Sequence, residues 1–358
     1  MSITKIVITG GPCGGKSTAM SKIQDEFTKK GYKVMFIAES ATEFITSGLT
    51  PDIPSFQECL MKYQIAKEKY YEEAAKDIDG KVLLVLDRGT IDNKVYMSDE
   101  KFNNMMKNLN TSEVELRDNY DAVFHLVTAA KGAREFYTLA NNPARSESAD
   151  EAAATDDRLI AAWTGHPHFR IIDNSTDFNA KIDRLIKEIA FFLGEPEPYE
   201  IERKFLIKYP DINWLESLPN CQKIDIIQTY LKSANPNEEV RIRQRGLNGN
   251  YIYTKTTKKK ISDIKRMEIE KRLSQKEYLT LLMEANPAKR QIRKTRYCLS
   301  YNNCYLEIDV YPFWDDKAIL EIELANEDDK ISIPSEIEII KEVTDDDSYK
   351  NVNLAQNI

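Results

Sequence analysis

Histidine, cysteine and tryptophan are scarce: the 358 residues include 3 His, 5 Cys and 3 Trp. The cysteines (Cys13, Cys59, Cys221, Cys298, Cys304) are odd in number, scattered and in no C-x-x-C pair. That argues against a disulfide framework and against a structural zinc site. No run approaches the roughly 20 apolar residues of a membrane helix. The first eight residues lack the basic stretch and apolar core of a secretory signal, so a cytoplasmic protein is expected. Positive charge is in deficit, with 50 Lys and Arg against 58 Asp and Glu and a net charge of −8. Duplex nucleic acid is therefore not an expected partner, although a local basic cavity is compatible with the total. What is present is ordinary globular composition, 42% hydrophobic and 30% charged, which excludes long disorder. The length favours two domains.

Two rhythms divide the chain. Short apolar runs at residues 6–9, 34–38, 82–86, 122–127 and 169–172 alternate with helical patterns, the layout of a doubly wound parallel α/β sheet. An amphipathic stretch ending at Phe192 precedes Gly194-Glu195-Pro196-Glu197-Pro198, which stops a helix. This predicts domains over 1–194 and 199–345, with a flexible tail over 346–358. Beyond the boundary the period becomes two, in eight runs: 200–207, 226–231, 240–245, 251–257, 266–273, 292–297, 305–311 and 319–324. They predict an eight-stranded antiparallel barrel.

Gly10-Gly11-Pro12-Cys13-Gly14-Gly15-Lys16-Ser17 fits G-x-x-x-x-G-K-[ST] between a predicted strand and a predicted helix. Backbone amides of this loop, through Thr18, can close around phosphates at a helix N-terminus. Lys16 supplies a point charge to the β and γ oxygens, and Ser17 offers a hydroxyl to Mg²⁺. Glu39 ends the second run and Asp87-Arg88-Gly89 the third, where strand ends face the ligand crevice. Asp87 is a candidate metal holder and Glu39 a candidate base for an acceptor hydroxyl. Arg134 and Arg145 follow the fourth run and are candidates to stabilise transferring charge. No Asn-Lys-x-Asp motif follows, which leans toward ATP over GTP. His166-Pro167-His168 lacks partners at metal-ligand spacing and reads as a loop before the fifth strand.

In the second half, charge recurs at alternate positions: Glu200, Glu202 and Lys204; Arg241 and Arg243; Lys255; Glu268 and Glu270; Lys294 and Arg296; Glu307 and Asp309; Glu321 and Glu323. The opposite positions carry Ile242, Met267, Ile269, Leu306, Ile308, Leu320 and Ile322. If those faces pack outward under flanking helices, the charges must point inward. An interior of both signs is costly unless metal ions and a polyanion neutralise it. Cations there would grip phosphate oxygens, and carboxylates would hold Mg²⁺ or Mn²⁺.

The E-x-E-x-K opening and the ordered charged strands resemble the CYTH, or triphosphate-tunnel, superfamily over about residues 199–343. The first half, with its P-loop, Glu39-Ser40-Ala41-Thr42-Glu43 and Asp87-Arg88-Gly89, resembles an AAA-like P-loop domain akin to nucleoside-type kinases. Together they look like proteins of the TRPL translocation defect type. The resemblance implies a Mg²⁺-dependent nucleotide-binding phosphoryl-transfer domain and a tunnel domain that binds or hydrolyses a triphosphate or polyphosphate. It equally allows a nucleotide switch whose second domain binds a phosphoinositide or other anion without turnover.

Overall fold

Val82, Leu83, Leu84, Val85 and Leu86 are fully buried, and such β-branched and leucine-rich runs form the interior strands of parallel sheets. The structure is a computed structural model that describes residues 2–137, 148–195, 201–233, 235, 238–260, 266–324 and 329–356. The chain divides into two units, Met1–Ile189 and Ala190–Ile358.

The first unit holds strands β1 (Ser2–Thr9), β2 (Tyr32–Ile37), β3 (Lys81–Asp87), β4 (Ala122–Leu126) and β5 (Phe169–Ile172). They form one sheet in the order β2-β3-β1-β4-β5, with every pairing parallel. Its helices are α1 (Lys16–Lys29), α2 (Ser40–Thr46), α3 (Phe56–Ala75), α4 (Asp99–Asn108), α5 (Glu113–Arg117), α6 (Ala149–Trp163) and α7 (Phe178–Phe192). All five predicted strands are present. Ile8 lies opposite Asp87, and Arg88 N donates to Ile8 O at 3.1 Å. The phosphate-loop sequence and Asp87-Arg88-Gly89 therefore leave the sheet side by side.

The second unit is antiparallel throughout. Its strands are β6 (Ile201–Lys208), β7 (Cys221–Tyr230), β8 (Glu238–Leu247), β9 (Asn250–Lys260), β10 (Arg266–Leu273), β11 (Ile292–Tyr301), β12 (Cys304–Val310), β13 (Lys317–Leu324) and β14 (Ile339–Glu342). The eight expected strands are there, but the eight-stranded barrel is not. Nine strands form one sheet in the order β10-β9-β8-β7-β11-β12-β13-β6-β14, and it does not close. The ninth strand, β14, is exposed at all four positions and so shows no buried alternation to read. It pairs with β6 and explains Arg203 on the apolar side of that strand. Arg203 Nε and Nη2 donate to Glu342 Oε1 and Oε2 at 2.9 and 2.7 Å.

The alternation is inverted as expected. Leu306, Ile308, Leu320 and Ile322 join Phe205, Ile207 and Leu299 in one cluster that includes Leu215 of α8 (Ile212–Ser217). Ile242 packs with Leu231, Leu273 and Tyr278 of α9 (Gln275–Leu281). On the charged face, a second cluster joins Leu206 of β6 to Tyr230 of β7. The cluster runs as a row across the sheet, with Ile319 of β13, Tyr311 just after β12 and Ile292 of β11 between them. Residues expected to fray instead pack here: α10 (Asn351–Leu354) carries Ala355 into that cluster, and Arg290 N donates to Ala355 O at 2.7 Å. Among the described residues no helix is long and apolar enough to cross a membrane.

Because Leu320 is fully buried beneath the helices, Leu320→Ala should lower the stability of the second unit by about 2–5 kcal/mol. Urea denaturation followed by circular dichroism would show this as a lower midpoint for that unit's transition.

Candidate functional site

The loop between β1 and α1 is shaped by close approach to β4. A methyl group at Gly10 (φ +139°) would fall 2.1 Å from Leu126 O, and one at Gly14 would fall 2.6 Å from it. Only glycine lets this loop lie so near a neighbouring strand. Gly15, at φ +99°, precedes α1 and places no side-chain cap on it, and the first-turn amides of a helix are natural anion donors. Lys16 Nζ donates to Gly10 O at 3.3 Å, holding the ammonium over the loop.

Asp156 of α6 fastens the loop from below. Its Oδ1 accepts Gly11 N at 2.9 Å and Thr128 N at 3.1 Å, and lies 2.9 Å from His125 Nε2. Its Oδ2 accepts Lys131 Nζ at 3.1 Å. Burial alone would raise this carboxyl, yet His125, Lys131 and the Gly11 amide hold it well below the usual carboxylate range.

At the neighbouring strand ends Arg88, at φ +68°, donates through Nε to Glu39 Oε1 at 2.5 Å and through Nη1 to Asp92 Oδ1 at 3.4 Å. Asp92 also accepts Gly89 N at 2.8 Å and the Thr9 hydroxyl. Burial opposes ionisation of Glu39, but Arg88, Lys16 and Thr42 outweigh it and lower its pKa from 4.5 to about 2. Asp87 is shifted the other way, first by burial and, against Lys16, by the charge of Glu39. Its Oδ1 is buried without a hydrogen-bond partner among the described residues, and a buried acceptor left so is expensive. With the exposed Ser17 hydroxyl at the start of α1, that carboxylate is a chemically suitable pair of donors for Mg²⁺.

In the second unit the register places one row after another on the charged face. Arg296 lies opposite Asp309, Glu307 opposite Glu321, and Glu321 opposite Lys204. Arg296 reaches three carboxylates: Asp309 Oδ1 from Nε at 2.7 Å, Glu321 Oε2 from Nη2 at 2.7 Å, and Glu307. Lys294 pairs with Asp309, and Lys204 Nζ lies 3.0 Å from Glu321 Oε1 and 3.4 Å from Glu202 Oε1. Burial, then Glu321 and Glu323, raise the Glu202 carboxyl despite Lys204. Burial raises Glu307 too, and neighbouring carboxylates add to this against Arg296. Such crowding of like charge favours a nearby cation, although among the described residues no three carboxylates are gathered as a ready-made metal cage.

On β8 the balance is opposite. Arg241, Arg243 and Arg245 alternate along the strand, opposite Tyr230, Gln228 and Ile226 of β7. Arg243 contacts Gln228 Oε1 at 3.4 Å, while its Nε is buried without a hydrogen-bond partner among the described residues. Burial first, then Arg241, Arg296 and Arg245, lower its pKa from 12.5 to about 10, with Glu270 the opposing influence.

Residues 5–181 match the model of the AAA domain, and residues 198–346 match that of the CYTH domain. The chain joins an AAA domain to a CYTH domain. No curated protein matches it. Among solved structures, an inorganic triphosphatase is 28% identical over 45% of this chain and 96% of its own, with a TM-score of 0.33. A Hippeastrum protein with dominant triphosphatase activity is 14% identical over 35% and 80%, with a TM-score of 0.26. A deoxyadenosine kinase from M. mycoides with bound dATP is 17% identical over 52% and 98%, with a TM-score of 0.34.

Within the AAA domain the structure brings Gly10 to Ser17 together with Glu39 and Asp87. Arg134 instead forms an exposed pair with Asp150, 2.7 Å from Nη2 to Oδ1, and Arg145 lies outside the described residues. His166 is buried, its Nε2 3.0 Å from Tyr120 O and its Nδ1 accepting His168 N, in keeping with a structural turn. Within the CYTH domain Lys204, Arg241, Arg243, Lys294, Arg296, Glu202, Glu307, Asp309, Glu321 and Glu323 share the charged face. Glu270 joins them from β10, accepting Thr256 Oγ1 at 2.8 Å, whereas Glu200 and the side chain of Glu268 lie outside the described residues. Lys255 does not join them. It lies opposite Ile242, hence on the apolar face, and Lys258 is the β9 lysine in phase with Arg241. Sequence reasoning missed Arg245, which continues the Arg-x-Arg alternation, and Asp156, whose only signal is an acid on the buried side of α6.

Glu39 has a lowered folded-state pKa, so its contribution is present above about 4.5 and lost as pH falls toward about 2. Glu39→Gln should therefore flatten the acid loss of AAA-domain stability across that window. Thermal melts of both proteins at stepped pH check it; identical slopes would count against the Arg88 clamp.

Proposed function

We propose that the chain is an enzyme with two phosphate sites: a Mg²⁺-dependent nucleotide-binding phosphoryl-transfer site in the AAA domain and a site in the CYTH domain that binds and hydrolyses a triphosphate or polyphosphate. The observation that carries this reading is Arg243, whose guanidinium Nε is buried without a hydrogen-bond partner among the described residues and stands in excess positive charge, on the same sheet face as a crowded set of carboxylates. Each set lacks what the other half of a metal-polyphosphate complex would bring.

In the AAA domain, loop amides and Lys16 bind the β and γ phosphates of ATP or GTP. Ser17 and Asp87 would hold Mg²⁺, which when bound neutralises phosphate charge. Glu39 orients an acceptor rather than deprotonating it, because a carboxylate held near pKa 2 is a weak base. In the CYTH domain Arg241 and Arg243 grip phosphate oxygens. Lys204, Lys294 and Arg296 are shared between carboxylates and substrate. Glu202, Glu307 and Glu323 would hold Mg²⁺ or Mn²⁺, with Asp309 and Glu321 keeping the cations in place. Glu268 and Glu270, at the β10 edge, are the candidates to orient the attacking water. The domain pairing also fits the TRPL translocation defect type.

Arg243→Ala should raise the Kd for Mg-tripolyphosphate by roughly 10–100-fold, the loss expected for a charged hydrogen bond. Lys16→Ala should leave the Arg243-dependent component of Mg-tripolyphosphate binding unchanged while abolishing nucleotide binding to the AAA domain. Calorimetry with phosphate-release assays checks both. An unchanged tripolyphosphate Kd in Arg243→Ala would remove the second site, and tight binding without phosphate release would make it a binding module instead.

A further inference from the structure

Phe178 is an aromatic side chain that packing does not explain. It opens α7, a position usually polar, and is 47% exposed, yet its ring edge lies against the phosphate loop. A methyl group at Gly15 would fall 2.8 Å from Phe178 Cε2 and 3.2 Å from Cζ. The absent Cβ of Gly15 is what lets the ring approach.

Its mounting is rigid. Asp177 Oδ1 caps α7 by accepting Asn179 N at 2.9 Å and Ala180 N at 3.1 Å. Asn174 Nδ2 ties the preceding loop to Thr128 O at 2.8 Å and Lys131 O at 2.6 Å. One turn further, Lys181 Nζ donates to Val127 O at 2.6 Å and to Asn174 Oδ1 at 2.8 Å. A half-exposed ring on a segment tied down in this way, in contact with the phosphate loop at Gly15, offers a planar surface at the edge of that loop.

We infer that Phe178 is the stacking platform for the nucleobase of the nucleotide bound by the AAA domain. This rests on the nucleotide reading of the loop. Stacking uses a face that every base has, so the platform serves adenine and guanine alike.

The test uses the full chain. Mg-ATP and Mg-GTP are titrated by calorimetry, and the P-loop component is defined as the part lost in Lys16→Ala. Phe178→Ala should raise both nucleotide Kd values by about tenfold, and Phe178→Trp should restore them to within about twofold of wild type. Mg-tripolyphosphate, competing for the Lys16-dependent site, should be unaffected because it has no base. Unchanged nucleotide affinity in Phe178→Ala, with Lys16→Ala still abolishing the component, overturns the platform and leaves the nucleotide site standing. An equal loss for tripolyphosphate also overturns it, since Phe178 would then merely shape the loop. If Lys16→Ala removes nothing, the nucleotide reading falls and the platform with it.

Discussion

A charged side chain taken out of water costs several kcal/mol unless a partner of opposite sign replaces the lost hydration, and both units are organised around that cost. In the AAA domain the buried Asp156 is answered by His125, Lys131 and two backbone amides. That solution is also what fixes the loop, because one of the amides belongs to Gly11. Arg88 is answered by Glu39 and Asp92. Among the described residues Asp87 is a carboxylate that keeps a buried oxygen without a hydrogen-bond partner, at the end of the strand beside the loop. The paired charges build the frame, and this carboxylate stands where a cation would complete the site.

The CYTH domain meets the same constraint on a larger scale. Its apolar residues face α8 and α9, which forces the charged alternates onto the opposite face. Arg296 then neutralises three carboxylates, while at Arg243 the charges of Arg241, Arg245 and Arg296 outweigh that of Glu270. Replacing such a cluster by well-packed apolar residues is commonly neutral or stabilising. Stability therefore gives no reason for the face to be charged, and ligand binding does.

Much of this was legible from residue order. The phosphate loop was readable because its glycines answer a local demand that no other residue meets: a Cβ at Gly10 would fall 2.1 Å from Leu126 O. The eight charged-apolar strands were readable because period two records burial on one face. What escaped did so for physical reasons. Strand β14 is exposed along its length and leaves no alternation. Ala355 is buried in a cluster but too small to advertise it. Asp156 acts through groups distant in sequence, such as Gly11, 145 residues away. Lys255 was misplaced because Tyr-Thr-Lys-Thr-Thr-Lys in β9 puts lysine in both phases; only pairing with Ile242 settles which lies on the charged face.

The two sites should differ in how they depend on metal, and the reason lies in their charge. The AAA loop binds phosphate through neutral amides and one ammonium, so its deficit is a single cation beside Asp87. In the CYTH domain Lys204, Lys294 and Arg296 are already engaged by carboxylates. A polyphosphate entering alone meets the positive charge around Arg243, but to gain Lys204, Lys294 and Arg296 it must displace their partners and leave carboxylates exposed to its own negative charge. A divalent ion arriving with it removes that conflict, by binding the freed carboxylates and the phosphate oxygens together. On the proposed reading, metal at the second site is thus called for by the neighbours of the substrate as well as by the reaction.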